Sequence, residues 1–334
     1  MKIAILGCGK QAPKHLSGLL GSKRVDEVFV ADRDHQAALR LQESYEMGVT
    51  AISLTDIFTR EDIDGFVIAT PTPSHFDLCK QALLNNKPFI VEKPLSSTYE
   101  EAVELAQLSE SKGVPGMVGF IYRFAPVFDK INTLLRDPKQ SVLGETQHAL
   151  FRIAGRGSDQ PWKHLDSKGG GAISEMMVHM IDLAVWYFGK ASEITLNDTA
   201  IIRKTRDIKG DVIECDAEDW VVAQLIMENG TRVLLQADMT SPVFRQFIEI
   251  DGENGIIEGS IQGTFQNAMT LFEPRGGFEK GHQELEVASG NFYLKQHETF
   301  LNMVQSGDDP DRCSLADAVE VMRIQMTLKN QMTA

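Results

Sequence analysis

The sequence predicts an α/β protein, with a doubly wound parallel sheet first and an α+β half on a mostly antiparallel sheet second. Three observations carry this. The first 120 residues alternate short β-rich runs with helical stretches, the mark of a parallel sheet wound on both sides. Those runs are near-continuously apolar, as strands are when helices cover both faces. After residue 122 the pattern changes to strands of alternating polarity separated by turn residues.

In chain order, the strands are KIAILG (2–7), EVFVAD (27–32), GFVIAT (65–70), PFIVEK (88–93) and PGMVGF (115–120). Helices are expected at 13–21, 34–46, 74–86 and 98–112. In the second half, residues 154–171 read as a loop from their Gly, Ser and Pro content. Alternating strands follow at 220–227, 231–238 and 244–252, with ENG (228–230) and GENG (252–255) as turns, and two helices close the chain near 293–305 and 314–330. The division into domains falls between residues 121 and 122, giving 1–121 and 122–334, and there is no internal repeat.

A chain of 334 residues suits two domains, and 43% apolar with 24% charged residues is the composition of a soluble protein with a sizeable core. The net charge of −14 leaves no electrostatic footprint for nucleic acid or for an anionic membrane. No apolar run approaches the roughly 20 residues of a spanning helix. ILGC at 5–8 resembles a lipoprotein processing site, but the apolar IAIL before it is too short for a signal peptide. Cys8, Cys79, Cys215 and Cys313 are scattered and form no CxxC pair, so a reducing, cytoplasmic home is expected.

GCGKQA at 7–12 is a G-x-G-x-x-A pattern between a predicted strand and a predicted helix. Gly7 would allow the tight turn, Gly9 would let backbone approach a pyrophosphate, and Ala12 would let the helix pack close to the strand. Lys10 and Gln11 complete this turn, and the phosphates would lie at the helix N-terminus. An acidic residue belongs about 20 residues on, at the end of the second strand, and Asp32 stands there. Its carboxylate would bond a ribose diol and repel a 2′-phosphate, which favours NAD; Arg33 and Lys10 leave NADP open.

EKP at 92–94 closes a parallel strand, at the end where open α/β sheets bind ligands. Lys93 there is either a reactive-edge lysine or a solvated loop residue. In GGGAISEMMVHMIDLAVW (169–186), helical spacing puts Glu175, His179 and Asp182 on one face of an otherwise apolar helix. Zinc is a rival reading, but H-E-x-x-H spacing is absent and no cysteine is near, so no metal is expected. Proton transfer suits a histidine tuned by neighbouring carboxylates.

These stretches, together with ATPTPSH (69–75), EKPLSSTYEEA (92–102), VGFIYRFAP (118–126) and SLADAVEVM (314–322), make the chain resemble the Gfo/Idh/MocA family of glucose–fructose oxidoreductase and inositol dehydrogenase. The resemblance covers nearly the whole chain. It implies a Rossmann domain followed by a substrate-binding domain whose open sheet builds homodimers or homotetramers. The implied reaction is hydride transfer between a nicotinamide and a hydroxyl-bearing carbon of a sugar, cyclitol or sugar derivative. Lys93 then matches the lysine that holds the reacting oxygen, and His179 the general base. Thr70, Thr72 and His75 match a cofactor-lining motif, with Glu92 beside the lysine. Pro94 falls where the family often has a cis peptide, and Asp182 matches a supporting acid.

The chain departs from the pattern twice. Glu175 stands where most members have Asp, and Ile121 and Tyr122 replace polar or basic residues in a motif that retains Arg123. Arg123, Arg152, Arg156, Trp162 and Lys163 are candidates for reading hydroxyl or phosphate groups, or else ordinary loop residues. A nucleotide-sensing regulator that has lost catalysis, and an enzyme that uses tightly held NAD transiently, are the other readings open.

Overall fold

The computed structural model of the chain describes residues 1–136 and 141–332. They form two compact units, Met1–Phe124 with Gly290–Met322, and Ala125–Ser289 with Arg323–Ala334. The sequence placed a single cut after residue 121. In the structure the chain returns to the first unit for residues 290–322.

The first unit holds a six-stranded parallel sheet of β1 (Lys2–Leu6), β2 (Glu27–Ala31), β3 (Val49–Ala51), β4 (Gly65–Ile68), β5 (Phe89–Val91) and β6 (Gly116–Val118), ordered β3-β2-β1-β4-β5-β6. β4 and β5 are wholly buried, which is why they read as unbroken apolar runs. The three-residue strand β3 escaped the sequence reading, being too short to show a period. The strand order reverses direction between β1 and β4, so the carboxyl ends of these strands are where a ligand crevice is expected.

Between strands run α1 (Ala12–Leu20), α2 (His35–Glu43), α3 (His75–Leu84) and α4 (Tyr99–Lys112). α4 opens on a capping box, Thr98 taking the Glu101 N–H while the Glu101 carboxylate takes the Thr98 N–H. It stops at Gly113, whose φ of 62° a left-handed cap requires. The returning segment carries α7 (Phe292–Ser306), which packs on α1. Gly18 permits that approach: a Cβ there would stand 2.4 Å from His297 Cδ2 and 2.7 Å from the Tyr293 carbonyl oxygen.

The second unit holds α5 (Pro126–Leu135), α6 (Val178–Phe188) and an eight-stranded sheet. Its strands are β7 (Thr146–Ala154), β8 (Ala191–Ala200), β11 (Trp220–Met227), β12 (Arg232–Asp238), β13 (Arg245–Gly252), β14 (Gly255–Gly259), β15 (Ala268–Leu271) and β16 (Gly281–Glu284), with β9 (Thr205–Ile208) and β10 (Asp211–Glu214) forming a separate hairpin. The order is β16-β15-β14-β13-β7-β12-β11-β8, antiparallel throughout except between β7 and β12. β11 alternates between half-buried and buried, as a strand does when only one face is packed. Helices α5 and α6 cover that packed face. The opposite face presents Val222, Gln224 and Ile226 beside their β12 partners, among which Leu234 is 42% exposed. No helix among the described residues is long and apolar enough to cross a membrane.

Candidate active site

In the first unit, the turn after β1 is built as its glycines require. Gly7 has φ of +95°, and a Cβ on it would lie 2.7 Å from the Ala69 carbonyl oxygen. Gly9 is exposed, and a Cβ there would meet no protein atom within 4 Å, which leaves its backbone open to a pyrophosphate. Ala12 is fully buried where α1 begins, with Gln11 just before the helix. Asp32 follows β2 directly. One of its oxygens accepts the Cys8 N–H at 2.8 Å and the other the Asp34 N–H at 2.8 Å, so the carboxylate is fixed beside the turn with lone pairs to spare for a diol. Lys10 and Arg33 are exposed at the same end of the sheet. Burial, then the charge of Asp32, pushes the Cys8 thiol up to about 12, so it is no nucleophile at neutral pH.

The turn after β4 is braced by its own side chains. Thr70 is half-buried and its hydroxyl accepts from Ser74 at 2.8 Å; Thr72 opens a single 3₁₀ turn. His75, expected to line the cofactor, is instead 1% exposed. Its Nδ1 lies 2.7 Å from the Pro94 carbonyl and its Nε2 2.8 Å from the Thr70 carbonyl. It therefore ties the turn after β4 to the turn after β5. Burial lowers its pKa, and the two carbonyls and Glu92 only partly oppose this.

Glu92 and Lys93 follow β5, and the Lys93–Pro94 peptide is cis. Burial alone would raise the Glu92 carboxyl. The hydrogen bond from His15, then the charge of Lys93, outweigh it and hold the carboxyl below its ordinary value.

In the second unit, the three glycines at 169–171 lead into a helix whose first turn is not α-helical. Ile173–Met177 forms a π turn before α6. The sequence expected a regular helix. The wider turn alters the angular relation of Glu175 to His179 that α spacing would give, and such turns recur at functional sites. Glu218 holds this start from outside. Its carbonyl accepts the Ala172 N–H at 2.8 Å and its carboxylate the Ile173 N–H at 2.9 Å. Gly171, with φ of +102°, has no room for a side chain, because a Cβ would lie 2.3 Å from Glu218 Oε2.

Glu175 and His179 are half-buried on an otherwise buried helix. Glu175 forms an ion pair with Lys163, whose ammonium also lies 5.2 Å from the centre of the Trp162 ring. Trp162 is 38% exposed. Asp182, in line with these residues by spacing, is 1% exposed.

The arginines divide. Arg123, expected to read substrate, is 1% exposed and donates to Asp317 at 2.7 Å, joining the two motifs that contain them. Arg152 lies on the half-buried face of β7, 3.9 Å from the Asp238 carboxylate, and Arg156 is exposed in the loop beyond. Sequence reasoning missed His15, His297 and Glu218. A histidine on the α1 face that carries Ala12 and Leu19 was a visible signal for His15. Nothing local marked Glu218, which meets Ile173, 45 residues away in the chain.

A family model described as an oxidoreductase family with an NAD-binding Rossmann fold matches residues 1–120, and a second, described as the GFO/IDH/MocA C-terminal domain, matches residues 138–258. Inositol 2-dehydrogenase of Rhizobium meliloti is 26% identical over 78% of this chain and 76% of its own length. Glucose-6-phosphate 3-dehydrogenase of Bacillus subtilis is 27% identical over 65% of this chain and 63% of its own. Among solved structures, an oxidoreductase of Agrobacterium radiobacter in complex with NAD+, L-tartaric acid and magnesium superposes with a TM-score of 0.84 at 19% identity, over 100% of this chain and 96% of the other.

Proposed function

As the chain belongs to the Gfo/Idh/MocA oxidoreductase family, with an NAD-binding Rossmann fold, we propose that it is an NAD-dependent dehydrogenase of a secondary hydroxyl on a sugar, cyclitol or sugar derivative. The observation that carries this is the pairing of a complete dinucleotide turn with Lys93 at the end of β5, in a chain that also keeps a half-buried His179 on α6. The nicotinamide, when bound, accepts the hydride.

The chain's own residues handle the proton and the charge. His179, an imidazole on α6, removes the hydroxyl proton as the carbon is oxidised. Lys93, as an ammonium, donates to the reacting oxygen and stabilises the negative charge that develops on it. Glu175 and Lys163, already paired, orient the substrate or His179, and Trp162 offers the sugar an apolar face. Gly7, Gly9 and Ala12 cradle the pyrophosphate and Asp32 takes the ribose diol, which favours NAD over NADP.

Two further features fit this reading. The face of the eight-stranded sheet that carries Leu234 suits assembly into a homodimer or homotetramer. Four free thiols suit a reducing cytoplasm.

The test is absorbance at 340 nm with NAD and NADP separately, against inositols, free sugars, sugar phosphates and nucleotide sugars. The expected result is turnover with one substrate class, reduced about 10²–10⁴-fold in His179→Ala while NADH still binds. Unchanged turnover in that variant overturns the assignment of His179. Silence across the panel with tight NADH binding favours a regulator.

A further inference from the structure

We propose that His15 and His297 are positioning residues for Lys93: with Glu92 they form a buried chain, His297–His15–Glu92, that fixes the Glu92 carboxylate as an anion beside the lysine. This rests on the role given to Lys93 above.

The chain is continuous. His297 Nε2 lies 3.0 Å from His15 Nδ1, and His15 Nε2 lies 2.9 Å from Glu92 Oε1. Both rings are fully buried, while the Glu92 side chain keeps 15% exposure. The three residues come from α7, α1 and the end of β5, so no single stretch of sequence contains the arrangement. Gly18 lets α7 come close enough for His297 to reach His15.

Proton counting selects one state. An ionised carboxylate only accepts, so His15 Nε2 must carry a proton. With His15 neutral, its bare Nδ1 accepts from His297 Nε2–H. The remaining nitrogen, His297 Nδ1, is then an unprotonated acceptor, and it is the buried atom that has no hydrogen-bond partner. Were His15 an imidazolium, it would donate to His297 Nε2 and force the His297 proton onto Nδ1. That would strand a buried N–H with no acceptor, the more expensive arrangement when added to a buried cation. Burial, and any charge on His15, also hold the His297 ring well below its ordinary value. Two neutral imidazoles therefore point their N–H bonds the same way, toward Glu92.

The chain ends blind at His297, so it is not a route for protons to solvent. What it supplies is a fixed dipole and a negative charge on Glu92. The titratable groups around that carboxylate are His15 from α1, Lys93 next to it, His75 from α3 and Tyr293 from α7. Burial, then the Glu92 charge, raises the Tyr293 phenol. An anion held in place attracts the neighbouring Lys93 head group and limits the directions it takes.

The experiment has two arms, and the first needs no substrate. Ring ¹⁵N shifts of His15 and His297, assigned through single substitutions, are followed from pH 5.5 to 9 in the full chain. Neutral Nε2–H tautomers on both rings are expected at neutral pH; an imidazolium at His15 there, or an Nδ1–H at His297, overturns the proposal. In the second arm, the Glu92 side-chain ¹³Cδ titration is compared in wild type, His15→Gln and His15→Leu. Removing the donor in His15→Leu takes away the hydrogen bond that favours the carboxylate, and the Glu92 titration is expected to move about one pH unit higher. His15→Gln, whose amide still donates, restores the wild-type value. An unmoved Glu92 titration in a His15→Leu variant that still binds NADH overturns the proposal. If His15→Leu fails to fold, the wild-type tautomers decide. Silent dehydrogenase assays alongside the expected spectra would refute the proposed function and leave the chain intact.

Discussion

Lys163 reaches out of the loop before the glycines and forms an ion pair with Glu175 on the π turn. The Glu175 carboxylate is nearly covered, with 11% of its side chain exposed against 23% for the lysine. In the proposed function, the paired groups orient the substrate or His179. Lys163→Met is expected to lower kcat/KM about tenfold, the loss of one charge-assisted hydrogen bond of roughly 1.5 kcal/mol, with NADH binding unchanged. Steady-state kinetics beside fluorescence titration checks it; a loss of cofactor binding instead would place the pair elsewhere in function.

Asp32 holds its carboxylate against the Cys8 and Asp34 amides. Asp32→Ser removes the charge that repels a 2′-phosphate and leaves exposed Arg33 beside it. The ratio of NADPH to NADH affinity is expected to rise about tenfold or more, some 1.4 kcal/mol. Competitive titration of the two reduced cofactors reads it directly.

Arg123 is buried against Asp317, whose side chain is 32% exposed. Arg123→Ala leaves a carboxylate without its cation in a largely covered site and empties a large volume. A loss of about 3 kcal/mol is expected, the low end for breaking a buried pair because Asp317 retains some solvent. Thermal melting falls by about 6–12 °C on the scale for domains of this size. A variant that melts like wild type but binds substrate poorly would return Arg123 to the substrate site.

Glu218 has its carboxyl raised by burial, which the Ile173 N–H and Lys329 only partly offset, and Oε2 has no hydrogen-bond partner. The folded chain thus holds this proton more tightly than the unfolded chain. Its stabilising contribution is present below the ordinary glutamate pKa of about 4.3 and is lost as pH rises through the higher folded value. Glu218→Gln removes this dependence. Melting midpoints of wild type minus variant are therefore expected to fall between pH 4 and pH 7, and a difference that stays flat would contradict the raised carboxyl.

The sequence revealed most where local chemistry is self-contained. The dinucleotide turn needs a glycine at positive φ, a small residue at the helix start and an acid after the second strand, and Gly7, Ala12 and Asp32 stand at those positions. β11 to β13 were legible because one packed face forces alternation. Short β3 was not, and neither were β14 to β16, strands of four or five residues in which no period develops. The π turn at 173–177 left no mark in the sequence, since α and π spacing share the same apolar residues over one turn. Arg123 and His75 show where sequence reading stops: a polar side chain in a motif looks the same whether it faces a ligand or closes a buried contact such as those with Asp317 or with two backbone carbonyls. Long-range partners decide that, and they lie beyond any local pattern.

The return of residues 290–322 to the first unit bears on how the protein is made. A ribosome releases β1 to β6 early, yet α7, which covers α1 and brings Phe300 and Val304 against Gly65, emerges only after residues 125–289. At about 5–20 residues per second, the nascent nucleotide-binding sheet waits many seconds with the α7-facing side of α1 bare. Apolar surface of that kind is what holdase chaperones bind, so the newly synthesised chain is exposed to them until translation has passed α7.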